Sequence, residues 1–351
     1  MILYILFLIF IIIYLVRSIL ESFSIRNIEK KSVFITGCDT GFGRLLVNRL
    51  LKKGVTVFAG CYTRNGEIEV NEENIDYSEN LFTLPIDVSD DDSVLEAYNF
   101  VVRTLETRTQ ILWAVVNNAG IFSAYGPDDW LTTKEYKQSL NVNFLGSVRM
   151  CHQFIPLLKQ SRGRIVTMAS VSGRIHSLYT APYTAAKFAL EGYMDCLRLE
   201  IRQYGVSVHI IEPGAFRTTL LDEKAFNERA ETVWNHLPPG VRTEYGSFYL
   251  DNLKEAWNNG AELAASRNLH YVTNSYVHAL FSAFPRCRYI CGWDARFLWQ
   301  PMSLLPALVQ DYLLYFLYGL QPGPSLVPQA LQRRTPTRSV ASTSRKTSAR
   351  S

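Results

Sequence analysis

The sequence predicts an α/β protein built on a doubly wound parallel sheet, with an N-terminal membrane anchor before it and an apolar C-terminal extension after it. Three observations carry this. From Ser32 onward, short and almost unbroken apolar runs alternate with stretches long enough for helices, the pattern of parallel strands buried on both faces. The first run leads into a glycine cluster and then a helical repeat. Every run ends in small or polar residues, where a sheet of this kind places its ligand crevice. With 351 residues, the chain has room for one sizeable domain and appendages. The expected division is an anchor over residues 1–20, the α/β domain over 31–320 and a disordered basic tail over 321–351.

Taken in order, Ile2 to Val16 are unbroken apolar, and Ile19 and Leu20 extend the run past Arg17 and Ser18. The length is near the lower limit of a membrane-spanning helix, about 17 residues. No basic residue precedes it and no small-x-small cleavage site follows it, so a retained anchor is expected rather than a cleaved signal. Arg17, Arg26, Lys30 and Lys31 all follow the run, which places the rest of the chain on the cytosolic side.

SVFIT then reads as a buried strand, GCDTGFG as a loop and RLLVNRLLKKG as a helix closing at Gly54. Gly37, Gly41 and Gly43 allow a tight turn and close approach of the backbone to a pyrophosphate at the positive end of that helix. VTVFAGCY, LFTLPIDV and ILWAVVNNAG follow as strands, with DDSVLEAYNFVVRTL as an intervening helix. RIVTMAS and VSVHIIEPG are the fifth and sixth strands, and RYI the last. Their ends put Thr36-Gly37, Cys61, Asp87-Val88, Asn117-Asn118-Ala119-Gly120, Ala169-Ser170 and Pro213-Gly214 at one edge of the sheet.

The stretch from Ser170 to Lys187 carries the chemistry. Tyr183 and Lys187 stand four residues apart in a segment with apolar residues every three or four positions, so both project from one helix face. A phenol is a weak base at neutral pH, but an adjacent ammonium favours its ionised form. Ser170, thirteen residues before Tyr183, can donate a hydrogen bond to a substrate oxygen that gains charge. From about Leu220 to Ser282 the pattern is helical but irregular, with Phe226, Trp234, Phe248, Tyr249, Trp257 and Tyr271 interspersed; a lid over an apolar substrate is one reading and ordinary helix packing the other. The apolar segment from Trp293 to Leu320 is interrupted by Pro301, Pro306 and Asp311 and reads as core or as a membrane-surface piece.

Charge and composition exclude other classes. The tail from Arg333 holds six basic residues and no acid, and without those six the net charge of +4 becomes −2. The body therefore lacks the basic surface of a nucleic-acid binder. Six scattered cysteines and six histidines show no paired metal-ligand spacing, so no metal is expected. Cys287 and Cys291 read as small buried thiols rather than a disulfide.

These residues resemble the short-chain dehydrogenases/reductases, a family with the Rossmann fold. The resemblance covers Lys31 to Leu320. TGCDTGFG is similar to the cofactor loop of the family, NNAG to its central strand motif, and Ser170, Tyr183 and Lys187 to its catalytic triad. Asn143, forty residues before Tyr183, matches the fourth member, which in the family supports a water-linked proton path to the lysine. Pro213, Gly214 and Thr218 match the motif that holds the nicotinamide carboxamide. The cofactor site implied by the resemblance comprises Thr36, Gly37, Asp39, Thr40, Gly41, Phe42, Gly43, Asp87, Val88, Asn117, Ala119, Gly120, Tyr183, Lys187, Pro213, Gly214 and Thr218. Within the family, the anchor, GCDTGFGRLL and PRCRYICGWDARFLWQP are similar to the membrane-bound retinol and 3α/17β-hydroxysteroid dehydrogenases.

The resemblance implies hydride transfer between a nicotinamide cofactor and an apolar alcohol or carbonyl, in the endoplasmic reticulum membrane, and it allows a homodimer through the Tyr183 helix and its predecessor. The alternatives are a dehydrogenase of the 3-hydroxybutyrate type and a membrane-tethered scaffold that binds a dinucleotide without chemistry. NAD is expected over NADP. The second strand ends in Cys61-Tyr62-Thr63 with Arg64 next, without the usual ribose-binding acid. Asp39 stands inside the glycine loop, however, where in the resembling branch it accompanies NAD preference. Thr40 occupies the place of a basic residue in NADP-preferring relatives. A cap for the following helix is the other role open to Asp39.

Overall fold

The computed structural model describes residues 1–320 and 326–332, without the side chains of Ile2, Leu3, Leu6 and Gln332. The expected tail lies outside these residues apart from 326–332. Seven strands form one parallel sheet: β1 (Lys31–Thr36), β2 (Thr56–Cys61), β3 (Leu81–Pro85), β4 (Ile111–Asn117), β5 (Arg164–Met168), β6 (Ser207–Pro213) and β7 (Arg288–Cys291), in the order β3-β2-β1-β4-β5-β6-β7. The chain grows outward from β1 in both directions. The crevice opens beyond the carboxyl ends of β1 and β4, where the direction reverses.

Strand periodicity explains why the runs are apolar throughout. Val33 and Ile35 of β1, Val57 and Ala59 of β2, and Ala114 and Val116 of β4 point to one face. Phe34, Phe58 and Val115 point to the other, as side chains alternate along a strand; Leu112 joins them because the β1–β4 register shifts by one residue after it. The first face is covered by α2 (Gly41–Leu51), α3 (Arg64–Glu73) and α11 (His270–Phe281). The second is covered by α4 (Asp91–Arg108), α6 (Gly146–Ser161) and α7 (Ala181–Ile201), where Phe34 meets Phe154 edge-on at 5.1 Å. Between α4 and α6 lies α5 (Thr133–Leu140), opened by a capping box of Thr132 and Glu135.

The irregular stretch after β6 divides. α8 (Glu223–His236), α9 (Pro239–Tyr245) and α10 (Tyr249–Ala264) gather over the strand ends around Phe122, Tyr125 and Trp130, whereas α11 returns to the sheet. After β7 come α12 (Gln300–Met302) and α13 (Ala307–Leu320). Leu314, Leu317 and Tyr318 of α13 pack with Ile175, Trp299 and Met302, while Leu308, Tyr312, Tyr315 and Phe316 face outward. α14 (Gln329–Gln332) lies against α9.

At the other end of the chain, α1 (Ile2–Glu21) exposes Tyr4, Phe7, Phe10, Ile13, Tyr14 and Ile19. Among the described residues no helix is both long and apolar enough to cross a membrane, so the expected anchor is not a feature the fold itself displays. The helix is nevertheless fixed to the body. Ile25 N donates to Phe281 O at 2.8 Å and Ala283 N to Phe23 O at 2.7 Å, Ser282 Oγ donates to Glu21 O, and Arg286 Nε lies 2.8 Å from Glu21 Oε1. Two of the four basic residues after the apolar run are engaged: Arg17 pairs with Glu21, and Lys31, in β1, sets its ammonium 3.8 Å from the Trp113 ring centroid. The six cysteines are free thiols; Cys291 is buried, but Cys287 is exposed.

Candidate active site

Glycine and threonine shape the loop after β1. Gly37 has φ +68°, left-handed backbone that glycine adopts without strain. A Cβ there would stand 2.8 Å from Ala119 Cα, so the loops after β1 and β4 touch backbone to backbone. Thr36 Oγ1 accepts from both Asn118 N and Ala119 N at 3.1 Å. Asn118 Nδ2 donates to Thr36 O and Gly37 O, each at 3.0 Å, and Tyr276 OH donates to Asn118 Oδ1. The result is a loop that leads into the N-terminus of α2, a ready site for a pyrophosphate.

Three of the expected cofactor residues, Thr36, Gly43 and Asn117, are absent from the cavity wall. Asn117 does not line the cleft. It is the last residue of β4, and its buried amide turns into the sheet to donate to Thr167 Oγ1 and Cys151 Sγ. Strand alternation gives Asn118 the opposite orientation, and Asn118 lines the cleft. Of the other expected cofactor residues, Thr36 and Gly43 brace the loop from behind. Gly37, Asp39, Thr40, Gly41, Phe42, Asp87, Val88, Ala119, Gly120, Tyr183, Lys187, Pro213, Gly214 and Thr218 line one cavity of about 860 Å³.

Asp39 does not cap α2, whose N-cap is Thr40. Its carboxylate instead accepts from Tyr62 N at 2.9 Å, Thr63 N at 2.7 Å and Thr63 Oγ1 at 2.8 Å. An acid from the glycine loop thus sits at the end of β2, where the strand has no acid of its own. Arg64 turns to Glu67, 2.8 Å away.

The Ser170, Tyr183 and Lys187 side chains converge. Ser170 caps the short turn Val171–Gly173 by accepting from Ser172 N, and it lines the same cavity as Tyr183. Burial pushes Tyr183 up to about 12, and the Ser170 hydroxyl opposes that rise. Lys187 Nζ donates to Met168 O at 2.9 Å and lies 5.5 Å from the Tyr183 ring centroid. Burial draws its ammonium down to about 8, against the attraction of Glu191. Asn143 lies in a π-helical turn, Asn141–Leu145, a local widening that often marks a functional site. Its Oδ1 accepts from Ile121 N at 2.9 Å and its Nδ2 donates to Ile121 O and Ser139 Oγ. A Cβ on Gly120 would lie 3.0 Å from Asn143 Oδ1 and 3.9 Å from Lys187 Nζ, so all three residues meet at the same spot.

Aromatic and aliphatic side chains form most of the remaining wall, which also includes Arg229 and His176. Phe122 stacks on Tyr183 at 4.8 Å, Trp257 lies 4.3 Å from Tyr125, and Trp257 stacks on Phe226 at 4.7 Å. Beyond the Leu220–Ser282 stretch, Trp299, Leu314, Leu317, Tyr318 and Leu326 line the cavity too. The sequence carries no signal for this, because α13 is apolar on its outward face as well as on the face turned to the cavity. A buried phenol between a hydroxyl and an ammonium can exchange a proton with a bound oxygen, and apolar walls select a large apolar molecule to carry that oxygen.

Similarity to known proteins gives the family. The sequence pattern described as "short chain dehydrogenase" matches residues 31–229. A 3beta-hydroxysteroid dehydrogenase of Caenorhabditis elegans is 50% identical over 92% of this chain and 84% of its own. The 17-beta-hydroxysteroid dehydrogenase type 6 of Bos taurus is 37% identical, covering 86% and 93%, and retinol dehydrogenase 7 of Rattus norvegicus 36% identical, covering 86% and 93%. Among solved structures, a short-chain dehydrogenase/reductase of Burkholderia phymatum in complex with NAD superposes with TM-score 0.61 at 19% identity, over 74% of this chain and 88% of that one, a likeness of fold. The chain therefore belongs to the short-chain dehydrogenase family and is a nicotinamide-dependent oxidoreductase of alcohols and carbonyls.

Proposed function

We propose that this enzyme interconverts an apolar secondary alcohol and its ketone, or a retinoid alcohol and aldehyde, with NAD, at a membrane. The observation that carries the reading is the convergence of Ser170, Tyr183 and Lys187 on a large cavity walled by Phe122, Tyr125 and Trp257. A nicotinamide dinucleotide fits the residues present, because the glycine cradle leaves its backbone bare beside the N-terminus of α2 and Lys187 reaches the same cavity. When bound, it supplies the two-electron acceptor or donor.

The protein's own groups handle the proton. Tyr183 takes it from the alcohol or returns it to the carbonyl oxygen. Ser170 holds that oxygen and Lys187 lowers the cost of the phenolate. Asn143 orders the backbone at Ile121 and, through water, links Lys187 to solvent. α8, α9 and α10 act as the lid, excluding water from the reacting carbon. Mixing the purified protein with NAD or NADP and a panel of retinols, hydroxysteroids and short 3-hydroxy acids tests the reading by the absorbance of reduced cofactor. Turnover of the short hydroxy acids alone would overturn it.

Asp39 makes the enzyme prefer NAD. Held at the end of β2 by three donors, its carboxylate meets the adenosine ribose hydroxyls and repels a 2′-phosphate. Asp39→Ala is expected to lower the ratio of kcat/KM for NAD to that for NADP about tenfold or more, the worth of a charged hydrogen bond. An unmoved ratio would pass the role to Arg64.

The membrane reading rests on the unbroken apolar sequence from Ile2 to Val16 and on two exposed apolar surfaces, along α1 and on the outer side of α13. Arg26 and Lys30 follow α1, so the catalytic domain faces the cytosol from the endoplasmic reticulum. Protease added to intact microsomes is expected to digest the domain, and protection would place it in the lumen.

A further inference from the structure

Behind the reacting groups lies an ion cluster with no place in the proton transfer just described. Glu191 and Glu212 are 5% and 1% exposed. Arg174 Nε lies 2.7 Å from Glu212 Oε1 and 4.0 Å from Glu191 Oε2. Arg288 Nη1 lies 2.6 Å from Glu212 Oε1 and also pairs with Glu191, while its Nη2 pairs with Asp195. Asp195 in turn pairs with Arg198.

Each member belongs to a segment that carries the site. Glu191 is one helical turn beyond Lys187 on α7, which sets i and i+4 on the same face. Arg174 follows the turn capped by Ser170. Glu212 immediately precedes Pro213-Gly214 at the end of β6, and Arg288 lies on the neighbouring β7. The turn sits directly on the helix, since a Cβ on Gly173 would come 2.7 Å from Glu191 Cγ and 2.9 Å from Lys187 O. A buried ion cluster tolerates loss of one partner badly, because the remaining charges are left uncompensated.

We propose that Glu191 is a positioning residue for the reaction, keeping Lys187 in its charged form and tying the Ser170 turn and the Pro213-Gly214 loop to α7. The inference rests on the function proposed above. The charged groups facing Glu191 are Lys187 and Asp195 from its own helix, Arg174 from the turn, Glu212 from β6 and Arg288 from β7; Arg198 acts through Asp195. Burial and Glu212 push the Glu191 carboxyl up, and Arg288 and Arg174 pull it down. Its negative charge works against the burial that strips Lys187 of its proton.

Removing that charge therefore lets Lys187 lose its proton at lower pH. For Glu191→Gln, two readouts are expected to move together from neutral to alkaline pH: kcat/KM, and the NADH dissociation constant read from tryptophan fluorescence. The alkaline limb of each shifts to lower pH by about one unit, as loss of an adjacent opposite charge requires. Limbs that coincide with the wild type, whatever the overall activity, would assign Glu191 a purely structural role and overturn the proposal. If the glutamine variant does not fold, Glu191→Asp replaces it, its shorter stem drawing the carboxylate away from Lys187. A displaced limb then supports the proposal and a coincident one overturns it. A wild type that turns over no substrate but binds NADH would sink the proposed function while the binding limb still decides this inference; one that does neither overturns both.

Discussion

Tyr183→Phe is expected to lower kcat by about 10³-fold or more, within the range that general acid–base groups contribute, while leaving NAD affinity nearly unchanged. The phenyl ring keeps the 4.8 Å stack on Phe122, so the pocket wall survives and only the hydroxyl is lost. With it goes the proton acceptor between the Ser170 hydroxyl and the Lys187 ammonium. Water does not replace it, because Tyr183 is buried with its ring stacked on Phe122. Stopped-flow traces with reduced cofactor separate the two effects: binding seen by fluorescence persists and the absorbance change of turnover disappears. Turnover near the wild-type rate would mean that another group moves the proton.

Gly43→Ala is expected to cost more than its single methyl suggests, lowering stability by about 1–3 kcal/mol, as overpacking does, and weakening cofactor binding at least in proportion. A Cβ at this position would collide with the Gly37 carbonyl oxygen and stand 2.6 Å from Asn118 Nδ2. Both partners are fixed, one as backbone and the other by its hydrogen bonds to Thr36 O and Gly37 O, so the loop itself must shift. Gly192→Ala is the control. It lies within α7 with nothing within 4 Å of its Cβ position, and the same change there should stabilise the helix by about 1 kcal/mol. Urea midpoints and NADH titrations of the two variants read the contrast; equal behaviour would show that Gly43 is not braced as described.

How much of this was legible beforehand depends on how local each signal is. The seven strands, their parallel sense and the glycine loop follow from runs of three to ten residues, since a strand buried on both faces must be apolar at nearly every position. Tyr183 and Lys187 were legible for the same reason, the helix repeat alone placing them on one face. Three things needed the folded chain. Strand alternation at the end of β4 sends Asn117 into the sheet and Asn118 into the cleft, a difference of one residue that composition cannot register. The cavity wall includes Trp299, Leu314 and Leu326, brought there from the far end of the sequence. The Glu191, Glu212, Arg174 and Arg288 cluster joins residues up to 114 positions apart. Sequence alone determined the strands, the glycine loop and the chemistry of the Ser170–Lys187 stretch, because periodicity and residue type are properties of neighbours. Tertiary structure decided which carboxylate meets which arginine and which side chains wall the cavity, because those contacts exist only once distant segments pack together.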